Sequence, residues 1–155
     1  MMIEETDIET WVEDFLSELL ELADLDVYIE EISINDENAF TVSLSGKDSA
    51  RAIGREGQTL EALQHIVVAA AIRSGMTLQR IIIDIEGYRG RREKKVREEA
   101  FLTAQNVRDT GTPQDLVPMS ARERRLVHME VSKIDGVTTE SFGNGDERHV
   151  RVVPV

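Results

Sequence analysis

The chain has 155 residues, 41% hydrophobic and 31% charged, ordinary globular figures that leave room for one medium domain or two small ones. It has no cysteine, which excludes disulfides, thiolate nucleophiles and Cys-based zinc sites and suits a reducing compartment, so a cytoplasmic protein is expected. The N-terminal "MMIEETDIET" has neither a basic nor an apolar signal region, and no apolar run approaches the roughly 20 residues that span a bilayer, so membrane insertion is not expected.

A formal net charge of -12 looks hostile to nucleic acid, but the charge is segregated. Residues 1–46 hold 14 acidic side chains and no Lys or Arg, and the remainder carries 16 acidic and 18 basic groups. The densest basic stretch is "RGRREKKVR", residues 89–97, with six basic positions able to meet phosphates.

In chain order, "TDIETWVEDFLSELLELADL" opens on a Thr6/Glu9 capping box and repeats Ile8, Val12, Phe15, Leu16, Leu19 and Ala23 at helical spacing, which predicts an amphipathic helix with an acidic outer face. "VYIEEISIN" and "AFTVSLSG", separated by the polar "DEN", read as two strands of a hairpin. "KDSARAI" is a short helical turn leading into Gly54-Arg55-Glu56-Gly57. The helix "QTLEALQHIVVAAAIRS" follows, with Leu60, Leu63, Val67 and Ala71 on one face and Gly75 at its end. The isoleucine-rich "LQRIIIDIE" reads as a third, central strand, giving the order α-β-β-α-α-β.

From Tyr88 to about Arg108 a long helix places Val96, Ala100, Ala104 and Val107 on one face and Arg91, Lys94 and Lys95 roughly opposite, and is read as a basic link between two halves. After the extended "GTPQDLVPM", a second capping box at Ser120/Glu123 starts the helix "ARERRLVHMEVSKI". "VTTESF" and "RHVRVVPV" form strands around Gly143-Asn144-Gly145-Asp146, where Asn-Gly predicts a tight hairpin, and "DLVPM" is a candidate third strand.

A helix N-terminus carries unpaired N–H groups and a partial positive charge, and flanking glycines admit a close backbone, so the loop before Gln58 can hold a phosphate. A Gly-x-x-Gly pair is weak alone, and taken by itself a plain helix–helix turn is the better account of it. Its place in the α-β-β-α-α-β order makes residues 26–87, with the acidic helix 1–25, resemble a type II KH domain. In that family the loop clamps a nucleotide backbone beside an apolar groove. The resemblance implies Gly54, Arg55, Glu56 and Gly57 as the clamp and Ile53, Leu60 and Leu63 as the positions nearest the groove, although these three fit a core equally. Glu56 departs from the basic loop centres common in that family and implies a weaker phosphate grip.

In "SARERRLVHMEV", Arg124 and His128 share a helix face, bordering the stripe Val127, Val131 and Ile134. Arginine forks onto phosphate or stacks on bases, and histidine stacks or donates a hydrogen bond. Alternation in "RHVRVVP" puts His149 and Arg151 on one strand face and Val150 and Val152 on the other. With the hairpin that follows, residues 111–155 resemble the small single-stranded nucleic-acid-binding domain named for its Arg-x(3)-His spacing.

The succession of KH unit, basic helix (88–110) and Arg-x(3)-His unit resembles the bacterial Jag family, also called the KhpB or SpoIIIJ-associated family, from about residue 26 to 155. Members often begin with a further domain, which this sequence is expected to lack. The resemblance implies an α+β, two-module protein that binds single-stranded RNA as a post-transcriptional regulator or RNA chaperone. Single-stranded DNA is an alternative ligand, and a second copy or a smaller KH protein an implied partner. An interaction module built on the acidic helix is the rival reading. His65, His128 and His149 are scattered, and neither His-Glu-x-x-His, Gly-x-Ser-x-Gly nor a Walker loop occurs, so no enzyme, metal or cofactor is expected.

Overall fold

The computed structural model describes residues 5–34, 39–76 and 80–155, with the backbone alone at 5–7. The Thr6 side chain of the expected capping box and the "DEN" turn therefore lie outside the described residues. The chain divides into two compact units, Met1–Arg89 and Gly90–Val155.

In the first unit α1 (Glu5–Leu22) buries Ile8, Val12, Leu16 and Leu20 at four-residue spacing. It stops at Asp24, whose φ of 53° lets Asp24 and Leu25 donate back to the carbonyls of Glu21 and Leu20. Ala23, the last apolar position of the sequence pattern, falls just past the helix end at Leu22 and is exposed; Leu20 takes the buried place.

The strands β1 (Tyr28–Ile34) and β2 (Phe40–Ser45) pair antiparallel. After α2 (Ser49–Ile53), a 3-10 turn (Arg55–Gly57) and α3 (Gln58–Arg73), β3 (Ile81–Ile85) pairs parallel with β2. Phe40, Val42 and Leu44 of β2 and Ile81, Ile83 and Ile85 of β3 meet Leu60, Leu63, Val67 and Ala71 of α3 and the α1 stripe in one core. Each large side chain contributes about 1.5–3 kcal/mol by leaving water. Gly75 (φ 79°) ends α3 as expected, with Gly75 and Met76 donating to the carbonyls of Ile72 and Ala71.

The strand order is β1-β2-β3, so the isoleucine-rich β3 lies at an edge and β2 is central. The outer edge of β3 is occupied by side chains. Gln64 donates to the Ile81 carbonyl (2.5 Å) and accepts from the Ile83 N–H (2.7 Å), and Arg89 Nε donates to the Ile83 carbonyl (2.7 Å).

The second unit is built on α4 (Tyr88–Thr110), the first turn of which belongs to the first unit. A three-stranded antiparallel sheet of order β4-β6-β5 comprises β4 (Gln114–Asp115), β5 (Val137–Phe142) and β6 (His149–Pro154). The "DLVPM" strand thus shrinks to two residues, starting one earlier. Leu116 and Met119 continue as single bonds to Val150 and Arg148. The Asn144-Gly145 turn is not a two-residue hairpin: Asn144 is extended (φ -132°), a 3-10 turn spans Gly145–Glu147, and Phe142 pairs His149.

Val96, Ala100, Ala104 and Val107 of α4 pack with Val127 and Val131 of α5 (Ala121–Val131), Val137, Val150 and Val152. The helix read as a link therefore forms one wall of this core. Two ion pairs tie α4 to α5, Arg92 Nε to Glu123 Oε1 (2.6 Å) and Arg97 to Glu130 (3.2 Å), while Glu93 within α4 (2.9 Å) also holds Arg97 and Lys133 also meets Glu130 (2.8 Å). The Arg92–Glu123 side chains are only 11% and 13% exposed. Glu123 also closes the Ser120 capping box, its Oε2 accepting the Ser120 N–H at 3.0 Å.

Glu123→Ala removes both interactions at once and is expected to lower the unfolding free energy of the second unit by about 2–3 kcal/mol. Glu123→Gln keeps the cap acceptor and should lose markedly less, as read by urea unfolding of the two variants against the parent.

Candidate nucleic-acid interface

The glycines of the Gly54–Gly57 loop are dictated by contact. Gly54 sits at φ 73°, ψ -176°, a region open essentially to glycine alone, and a Cβ there would collide with Thr59 Oγ1. Gly57, buried at φ 78°, ψ 12°, precedes the first residue of α3, and a Cβ there would stand 2.8 Å from the Tyr88 ring. Between them Arg55 and Glu56 are exposed, Glu56 at φ 55°. The N-cap of α3 is Gly57, which has no side chain to cap the first turn, and the positive end of the helix dipole faces the loop. Tyr88, which supports the loop, does not stand out in the sequence; its only signal is its place at the start of a helix. Ile53 is half-buried against the core. Leu60, a groove position by resemblance, is 1% exposed and Leu63 is also buried, so both belong to the core and neither lines a surface.

The basic run 89–97 is divided by the helical period. Arg89 is held by Glu61 (2.6 Å), and Arg92 and Arg97 are held by the carboxylates of the second unit. Arg91, Lys94 and Lys95 are the exposed members, Lys94 lying a loose 3.9 Å from Glu98. His65 is exposed on α3, away from the buried stripe of that helix.

On α5, Arg124 and His128 lie one turn apart, both half-buried. The His128 ring is bracketed by β5: Nδ1 meets the Thr139 hydroxyl and Nε2 the Ser141 hydroxyl (3.2 Å). Burial first, and then the Arg124 charge, push its pKa below the ordinary histidine value, so the imidazole is neutral at pH 7. Thr139 and Ser141 are partners of His128 that the sequence does not reveal, although alternation in "VTTESF" puts them on the face of Val137. His149 and Arg151 are not brought to this surface. Val150 and Val152 turn inward to α4 and α5, which leaves His149 and Arg151 on the opposite face of the sheet. There Arg151 forks onto Asp115 through Nε (2.5 Å) and Nη2 (2.9 Å), holding that carboxyl below its usual range, and His149 Nδ1 donates to the Glu147 carbonyl (2.9 Å).

A family model described as the KH domain of KhpA/KhpB matches residues 9–84, and one for the domain named after its Arg-x(3)-His spacing matches residues 94–154. RNA-binding protein KhpB of Clostridium symbiosum is 32% identical over 137 residues, 88% of this chain and 62% of that one. The chain belongs to the KhpB family. The Bacillus subtilis RNA-binding protein KhpB is 31% identical over 109 residues, covering 69% of this chain and 52% of its own length. That of Lactiplantibacillus plantarum is 35% identical over 100 residues, with 64% and 31% covered. The chain thus spans less than two thirds of each of these KhpB proteins. The KH match includes most of α1, whose apolar stripe completes that core, and the second match begins inside α4.

Among the described residues no helix is long and apolar enough to cross a membrane, and no group of three His, Asp or Glu gathers as a metal site.

Two outcomes test this geometry. Gly57→Ala should destabilise the first unit by at least about 1 kcal/mol more than Gly75→Ala, because both strain a left-handed φ while only Gly57 meets a neighbour; differential scanning calorimetry ranks them. For His128, the unfolded chain takes up a proton near pH 6.5 and the folded chain only at lower pH. Stability of the second unit should therefore fall as pH drops below about 6.5, and His128→Gln should remove that part of the fall in urea titrations at pH 7.5 and 5.5.

Proposed function

We propose that the chain binds single-stranded RNA, each unit engaging the strand through its own surface. In the first unit the Gly54–Gly57 loop and the glycine-led start of α3 hold backbone phosphate, with Arg55 assisting and Glu56 opposing. In the second, Arg91, Lys94 and Lys95 of α4 offer exposed cations, and Arg124 offers a planar fork. His128, neutral at pH 7, contributes by ordering the Thr139 and Ser141 hydroxyls beside Arg124. The observation that carries the reading is the pair of contact-enforced glycines at the start of α3, found in a chain of the KhpB family whose curated relatives are named RNA-binding proteins.

The role extends, on the same reading, to post-transcriptional regulation or RNA chaperoning in the cytoplasm, without catalysis, metal or cofactor. A second copy or a smaller KH protein is the pairing partner. The cysteine-free composition fits that compartment.

The test is titration of a labelled mixed-sequence single-stranded RNA over a salt series, with single-stranded DNA of the same sequence as control. Affinity should fall linearly in log–log terms. Lys94→Ala with Lys95→Ala should flatten the slope by about 1.4, the value for two lost phosphate contacts on a single strand. Arg124→Ala with His128→Ala should weaken binding several-fold at low salt. Equal affinity for DNA would assign the surfaces to single strands in general. No binding to either at low salt would hand the function to the acidic face of α1 as a protein-docking surface.

A further inference from the structure

The outer face of the second sheet carries a cluster that phosphate binding does not explain. Asp115 of β4 pairs with Arg151 of β6, and Phe142 of β5, paired with His149, stands diagonal to Arg151 on the same face of the sheet. Asp115 fixes the Arg151 guanidinium through two hydrogen bonds, and the guanidinium carbon lies 4.4 Å from the Phe142 ring centroid. His149, directly opposite Phe142 in the ladder, has its ring within 24° of parallel at a centroid distance of 6.4 Å. Phe142 nevertheless remains 39% exposed.

This face does not attract phosphate. The Arg151 charge is met by Asp115, and Glu140, its ladder neighbour, adds a further negative charge. What remains is a set of flat π groups whose orientation is fixed before any ligand arrives. Nucleobases stack on aromatic rings and on guanidinium planes, and a neutral base is not repelled by the carboxylates that repel its backbone. Cross-strand stabilisation alone would account for the Arg151–Phe142 contact, but it leaves unexplained why an aromatic ring in a fixed stack is kept open to solvent.

We propose that Phe142, Arg151 and His149 form a stacking platform for a nucleobase of a bound single strand, on the sheet face opposite Arg124 and His128. The inference rests on the RNA-binding reading above and adds a base contact to it. The platform recognises a base plane, so it contributes affinity with little dependence on salt.

The chain has a single tryptophan, Trp11, which makes a reporter available. Trp11→Phe combined with Phe142→Trp places the only indole on the platform. Titration with a twelve-nucleotide oligoadenylate should quench its fluorescence, saturating at the concentration where the anisotropy of the labelled oligonucleotide saturates. Phe142→Leu should weaken binding about fivefold or more while leaving the log–log salt slope unchanged. The platform is overturned if the oligonucleotide binds by anisotropy while the indole is unquenched, an outcome that leaves RNA binding itself standing. It is overturned too if Phe142→Leu, folded by circular dichroism, binds like the parent. Should Phe142→Leu not fold, the quenching alone decides. Absence of any binding by the parent sinks both readings.

Discussion

The first unit depends on the missing side chain at Gly57. With no Cβ there, the Tyr88 ring can lie against the backbone that opens α3, and the helix starts at a fixed point relative to the start of α4. From that origin the 3.6-residue period sends Leu60 and Leu63 into the core and brings Gln64 over β3, where Arg89, the residue after Tyr88, also lands. The loop that faces the candidate ligand and the contacts that close the sheet edge are thus set by one steric allowance. Function and fold share the constraint, because any side chain at Gly57 would move the loop and the helix together.

In the second unit the governing constraint is electrostatic. Helical geometry sorts the basic residues of α4, committing Arg92 and Arg97 to carboxylates at the α5 seam and leaving Arg91, Lys94 and Lys95 toward solvent. Local charge density alone therefore overstates what this helix presents to a polyanion. The same holds for Arg151, a cation in the sequence whose charge in the structure is cancelled by Asp115. Cancellation changes what such a group can recognise, from a charge to a plane.

Much of this is legible in the sequence, where periodicity is a direct physical signal. The stripes Leu60, Leu63, Val67, Ala71 and Val96, Ala100, Ala104, Val107 read as faces and are buried as faces. What a face packs against is not legible. Leu60 fits a groove as well as a core, and the α4 stripe fits a link as well as a wall, because a period of 3.6 records burial and not the partner. Isoleucine content suggests a central β3 for the same reason: it reports a covered face, while strand order is set by pairing between distant segments. Alternation assigns His149 and Arg151 to the correct side of their own strand, yet the side on which α5 lies is a tertiary fact. The hydroxyls of Thr139 and Ser141 are invisible as partners of His128 because they approach from another element.

The side chains on the β3 edge have a consequence for the unfolded and half-folded chain. Ile81–Ile85 is a segment well suited to seed intermolecular β-assembly, being short, β-branched and carrying a single charge. In the folded unit its free edge is masked by Gln64 from one helix and Arg89 from another, not by a neighbouring strand. Protection against aggregation is therefore acquired only when α3 and the first turn of α4 have docked, which makes helix docking, more than sheet formation, the step that renders this chain safe at high concentration.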